Sequence, residues 1–329
     1  MTVLASTMQG FFTQHLIGQR RASPHTVASY RDTCRLLLRF AHTESGKAPS
    51  QLGLDDLDAK LIGRFLDHLE RDRNNSINTR NNRLAAIHSL FSYAAFEHPD
   101  HAEVIARVLA IPPKKTDKRI VSFLTDPEVK ALIAAPDRAT WTGRRDHALI
   151  TTAITTGLRV SELAAITIDD IHLGVGAHVR CHGKGRKERI TPLTGETIDV
   201  ISVWLAERQH SPGVALFPSR RGSPLTRDAI SARITLHTRT AAGFCRSIAT
   251  KNVTPHTLRH TCAMRLLAVG VETSVIAMWL GHESAETTQI YLHADLSIKE
   301  RAIARTAPTG TKPGRYQPPD ELLSFLESL

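Results

Sequence analysis

The chain has 329 residues, 41% of them hydrophobic, and its 42 Lys and Arg against 32 Asp and Glu give a formal net charge of +10. That length suits two domains with a core each, and so basic a balance points to a polyanionic partner, nucleic acid first. Cys34, Cys181, Cys245 and Cys262 form no Cys-x-x-Cys pair, which argues against a zinc ribbon or a disulfide framework and for reduced thiols.

No stretch approaches the roughly 20 apolar residues of a membrane-spanning helix. No secretory signal is expected at the N-terminus, and the expected compartment is cytoplasmic, without membrane partners.

Residues 1–111 read as a helical domain. Ser23 before Pro24 predicts a helix start, since the hydroxyl can cap and the fixed φ of proline suits the first position. Val27, Tyr30, Cys34, Leu37 and Leu38 then recur at helical spacing. A second helix is expected near Leu57–Leu69 and a third around Leu84, Ile87, Leu90, Phe91 and Ala94, with both stripes as core. Between them, residues 71–83 are rich in Arg and Asn. Arg73, Thr79, Arg80, Asn81, Asn82 and Arg83 are candidate phosphate and base-edge contacts; a solvated loop and helix start is the other reading. Residues 112–119 read as a linker stiffened by Pro112 and Pro113. Its Lys114 and Lys115 suit a strap across a DNA backbone.

A second domain is expected over 120–316. Thr125-Asp126-Pro127-Glu128 predicts a helix start, and an apolar helix through Ala148–Ile154 should end at Gly157, which tolerates a left-handed cap. Residues 177–182 and 188–191 flank Gly183-Lys184-Gly185-Arg186-Lys187 and predict a β-hairpin. Thr254-Pro255 should open a helix that Gly270 closes. Thr273 should cap another, closed by Gly281, and Ser284 a third carrying Tyr291. The expected fold class is mainly α with a small antiparallel β-sheet. In the tail, 317–329, Leu322, Leu323, Phe325, Leu326 and Leu329 form an apolar set that packs on a neighbouring copy or on its own domain.

Five short motifs of this second domain carry chemistry. Arg159 follows the Gly157 turn, and a guanidinium holds two phosphate oxygens without ever losing its charge. Glu162 lies three residues on, where it can steady Arg159. His256 and Arg259, also three apart, share a helical face next to a helix start that favours an anion. Lys184, in a glycine-flanked turn, suits a general acid for a departing 5′-oxygen, and its neighbours Arg186, Lys187 and Arg189 suit backbone phosphates. His282 can donate to a non-bridging oxygen, and Tyr291 can serve as a covalent nucleophile. His260 and Trp279 are expected in the core. Two fixed cations, three titratable donors and a phenol suit attack on a phosphodiester without a metal. No recognised metal-ligand spacing occurs among the 17 histidines, so no metal or other cofactor is expected.

The segments Thr156–Leu163, Gly183–Arg189, His256–Thr261 and Leu280–His282, with Tyr291 after them, resemble the tyrosine recombinase (phage integrase) family over most of the chain. The resemblance implies a helical DNA-clamping domain followed by a catalytic domain. It implies that Arg159 and Arg259 clamp the scissile phosphate, that Lys184 is the acid for the leaving 5′-hydroxyl, and that His256 assists proton transfer. His282 would support the phosphate, Glu162 would be the acidic residue behind the site, and Tyr291 would form a 3′-phosphotyrosyl link. The implied substrate is double-stranded DNA with paired recognition sites, held by a homo-tetramer and exchanged without ATP. Integration, transposition and Xer-like resolution stay open as roles. A topoisomerase-like nicking and resealing enzyme and an inactive DNA-binding protein are the alternatives.

Overall fold

A computed structural model describes residues 2–116, 121–182, 188–208 and 213–281. The chain forms two compact units, Met1–Lys118 and Arg119–Leu329.

In the first unit, helix α1 (Val3–Gly10) runs on into a π-helical stretch, Phe11–Gln19. Helices α2 (Pro24–Ser45), α3 (Ala59–Arg71), α4 (Ile77–Glu97) and α5 (Ala102–Leu109) follow. Ser23 starts α2 as its spacing suggests, its hydroxyl accepting from the Thr26 N–H at 3.2 Å. Ser76 caps α4 in the same way, so Thr79–Arg83 lie in the opening turns of a helix and not in a loop. Leu61, Phe65 and Leu69 of α3 meet Leu84, Ile87, Phe91 and Ala94 of α4, together with Leu37 of α2 and Ile105 and Val108 of α5, in one apolar core. Burying each large side chain of such a set stabilises the unit by about 1.5–3 kcal/mol before entropy is counted.

The second unit runs α6 (Asp126–Ala134), α7 (Trp141–Thr156), α8 (Val160–Ala165), β1 (Ile171–His172), β2 (His178–His182) and β3 (Glu188–Pro192). Helices α9 (Gly195–Arg208), α10 (Arg227–Ala242), α11 (Pro255–Ala268) and α12 (Thr273–Leu280) complete the described part. The strands form an antiparallel sheet in the order β1-β2-β3, with Val179 opposite Thr191 and His182 opposite Glu188. The sheet therefore includes the expected hairpin.

Helix α7 is buried along most of its length, because Ala148, Leu149, Ile150, Ala153 and Ile154 face neighbours on several sides; it packs against α9 and α11. Glu128 closes the start of α6 by accepting from the Thr125 N–H at 2.8 Å. The start of α12 differs from expectation. Glu272, with extended backbone, is the capping position, and Thr273 is the first helical residue.

Cys34, Cys181 and Cys262 are free and buried, and Cys245 is free and half-buried. Burial pushes the Cys34 and Cys262 thiols up to about 12 and Cys181 to about 11, so these three stay protonated at neutral pH. Among the described residues no helix is long and apolar enough to cross a membrane.

Candidate active site

Helix α7 ends at Gly157, whose φ of 65° lies in the left-handed region. Space as well as backbone demands glycine there, since a Cβ would stand 2.6 Å from Leu280 Cδ2. The turn sends the chain into α8 with Arg159 at its head. The Arg159 N–H donates to Glu162 Oε2 at 2.7 Å, and Arg159 Nη1 donates to Glu162 Oε1 at 3.1 Å. Its other arm, Nη2, donates to the Gly281 carbonyl at 2.7 Å. Arg159 thus has both ends fixed, yet 35% of its side chain stays exposed and can meet a ligand.

Arg259 comes from α11 and is 2% exposed. Its Nη1 donates to the Gly157 carbonyl at 2.7 Å and its Nη2 to the Leu280 carbonyl at 2.6 Å. Gly281 closes α12 as Gly157 closes α7, again with positive φ, at 64°. Two helix C-termini therefore meet, tied further by a Trp279 Nε1–H donated to the Thr156 carbonyl at 3.1 Å. Carbonyls at a helix end lack intrahelical donors and carry the negative end of the macrodipole, so a cation is favoured beside them. Being neutral, they orient a guanidinium without cancelling its charge.

His256 sits in the first turn of α11 with an exposed face. Its ring lies 4.4 Å from that of His260, edge to face. Partial desolvation, then the charges of Arg259 and Arg159, lower its pKa from the ordinary histidine value. The imidazole is therefore neutral at pH 7 and can take up or pass on a proton. His260 is half-buried against it, whereas the sequence reading expected it in the core.

Glu162 is 7% exposed. Burial pushes its pKa up, but the hydrogen bonds and charge of Arg189, with the N–H and charge of Arg159, outweigh that and hold it below the usual carboxylate range. Arg189, on β3, donates Nη1 to Oε1 at 2.6 Å and Nη2 to Oε2 at 2.8 Å. This corrects the expectation that Arg189 holds a DNA phosphate. Its side chain is 13% exposed and committed to a carboxylate, the better partner for a planar guanidinium at that depth.

In the first unit, Arg80 is 6% exposed and ion-paired with Glu70, and its Nη1 donates to Asn81 Oδ1. Asn81 in turn donates to the Lys114 carbonyl at 2.8 Å and accepts the Lys114 N–H at 3.1 Å. Lys114 Nζ pairs with Glu70 at 2.8 Å. Arg80 and Asn81 thus tie the 112–114 stretch to α4. Arg73, Asn82 and Lys115 are exposed, whereas Thr79 and Arg83 are half-buried. Burial, then the nearby charge of Arg73, lowers the Arg83 pKa.

Lys184, Arg186, Lys187, His282, Tyr291 and the 317–329 tail lie outside the described residues. Arg159, Arg259, His256 and Glu162 are brought into one neighbourhood. Sequence reasoning missed the three carbonyls that hold the guanidinium groups, but the paired glycines at 157 and 281 signalled two helix ends.

The phage integrase family profile matches residues 122–297, and the N-terminal SAM-like domain of phage integrases matches residues 11–98. The putative integrase/recombinase y4rC of Sinorhizobium fredii is 52% identical over 326 residues, covering 99% of this chain and 98% of the relative. The tyrosine recombinase XerC of Pelobacter propionicus is 33% identical over 308 residues, 92% of this chain and 95% of that one. Among solved structures, XerH recombinase bound to its palindromic difH substrate in a post-cleavage complex aligns with a TM-score of 0.69. It covers 92% of this chain and 85% of that chain at 23% identity, a likeness of fold.

Proposed function

The chain belongs to the phage integrase family, the tyrosine recombinases, and from that premise we propose how its residues break and rejoin DNA in site-specific recombination. Arg159 and Arg259 hold the non-bridging oxygens of the scissile phosphate. Tyr291 attacks phosphorus, its phenol proton passing to neutral His256. Lys184 gives a proton to the departing 5′-oxygen as its bond to phosphorus breaks, and His282 donates to the phosphate. The product is a 3′-phosphotyrosyl ester and a free 5′-hydroxyl, and attack by a partner strand's 5′-hydroxyl reverses the step. One phosphodiester replaces another, so no external energy source is needed. The single observation that carries this reading is the meeting of two guanidinium groups, Arg259 and one arm of Arg159 on uncharged carbonyls, beside the His256 imidazole. Such cations meet transition-state charge with little reorganisation.

The substrate is double-stranded DNA with paired recognition sites, worked on by a homo-tetramer in the cytoplasm. Residues 1–111 clamp the duplex, 112–119 link, 120–316 catalyse, and the 317–329 tail reaches a neighbouring copy. Arg73, Asn82, Arg83, Lys115, Arg186 and Lys187 serve backbone phosphates. The names of the relatives favour a recombinase over a topoisomerase-like enzyme or an inactive binder.

A nicked suicide duplex tests the reading, because loss of the short downstream strand prevents rejoining and traps the adduct. Wild-type protein selects its duplex from a random-sequence library as an SDS-stable complex. Tyr291→Phe should form no adduct on that duplex while still binding it. An adduct with Tyr291→Phe, or none with wild type from any library, would refute the proposal.

A further inference from the structure

Arg189 touches both supports of Arg159. Its fork closes on the two oxygens of Glu162, the carboxylate that holds Arg159 from within α8. The same side chain lies over Gly281, where a Cβ would come within 3.0 Å of Arg189 Nη1 and 3.1 Å of its Cδ. The Gly281 carbonyl holds the other arm of Arg159. Arg189 also pairs through β3 with Cys181 of β2. Gly281 directly precedes His282. One guanidinium thus joins the start of α8, the β2–β3 ladder and the end of α12. A lysine could not replace it, because a point-charge ammonium cannot span both carboxylate oxygens and cover the glycine at once.

We propose that Arg189 is a positioning residue: through Glu162 and Gly281 it sets the Arg159 guanidinium for the scissile phosphate. The inference rests on the function assigned above. An ion pair serving stability alone would lower the folded fraction and leave the folded molecules fully active. A positioning residue alters the rate of the chemical step in folded, DNA-bound molecules.

The test uses the full chain and the nicked duplex selected by wild type, and it measures duplex affinity, thermal midpoint and the single-turnover rate of adduct formation at saturating protein. Arg189→Lys should bind the duplex within about twofold of wild type and form adduct roughly 10–100-fold more slowly, the usual scale for losing a group that orients a reacting residue. Arg189→Gln should be slower still. The double variant Glu162→Gln with Arg189→Lys should be no slower than its slower parent, since both act on one target. A wild-type rate for Arg189→Lys, a fall in affinity equal to the fall in rate, or losses that multiply in the double variant would overturn the inference. So would an Arg189→Lys chain that fails to fold, which would make the pair structural. Failure of wild type to form any adduct would instead refute the assigned function.

Discussion

In the second unit, arginines gather at two places and meet different acceptors. Around Asp146, which is fully buried, Arg145 donates twice to Oδ1 at 3.0 and 2.7 Å, while Arg233 and His237 reach Oδ2 at 2.5 and 2.8 Å. Trp141 lies against the Arg145 guanidinium at 5.5 Å. Around Gly157 and Gly281, Arg259 and one arm of Arg159 meet backbone carbonyls. One buried carboxylate orients Arg145, Arg233 and His237, and so the Asp146 cluster fastens α10 to α7. The second gathering has one carboxylate, Glu162, for three guanidinium groups, and the Arg159 side chain stays 35% exposed, so it can meet an anion from outside. On the function proposed above, the same residue type serves architecture in one place and chemistry in the other.

The largest expected effect breaks the architectural side. Asp146→Asn leaves buried guanidinium groups facing a neutral amide and should cost about 3–5 kcal/mol of stability in urea unfolding. The folded fraction should form adduct at close to the wild-type rate. Lost cleavage with unchanged stability would reverse the two roles. On the chemical side, Arg159→Gln should slow adduct formation by roughly 100–1,000-fold, the scale for removing one preplaced donor. Its unfolding midpoint should move little, because Glu162 keeps Arg189 as a partner.

A smaller effect sharpens the account of the helix ends. Gly157→Ala adds left-handed strain and a collision with Leu280, and should cost about 1–3 kcal/mol. Gly46→Ala, also at positive φ but with nothing near its Cβ, should cost about 1 kcal/mol. Calorimetry on the pair isolates the Leu280 contact, and only the Gly157 variant should also slow cleavage.

The smallest effects come from pH. In Asp146 burial pushes the pKa up, but the hydrogen bond from His237 and the charge of Arg145, among others, outweigh it and hold it low; Glu162 is also held low. A depressed carboxylate contributes stability that is complete above the unfolded value of about 4 and is lost as pH falls through the folded value. Unfolding free energy should therefore decline below about pH 5, and Asp146→Asn should show a shallower decline. His256 is also lowered. Adduct formation should thus stay level as pH falls through about 6.5, where an unperturbed imidazole would already be charging.

Much of this was legible in the residues. Serine and threonine before proline marked helix starts, and the glycines expected at helix ends, 157, 270 and 281, do lie at positive φ. The apolar stripes of α3 and α4 became a core. What stayed hidden has physical causes. The ion pairs of Arg80 with Glu70 and Arg189 with Glu162 stayed hidden because charge is visible in a sequence and burial beside a carboxylate is not. β1 has two residues, too few for an alternating pattern. The Asp146 cluster joins residues up to 91 positions apart and so leaves no local spacing to read. The cradle of Arg259 is backbone, and every residue has a carbonyl.

The most direct measurement compares wild type and Arg159→Gln on two versions of the selected nicked duplex. One carries an ordinary scissile phosphate; in the other a neutral methylphosphonate stands in its place. If Arg159 acts by presenting positive charge to the phosphate, the loss of roughly 100-fold or more on the charged linkage should shrink to under about tenfold on the neutral one. An equal loss on both linkages would show that Arg159 serves only to hold the fold together, and would contradict the account.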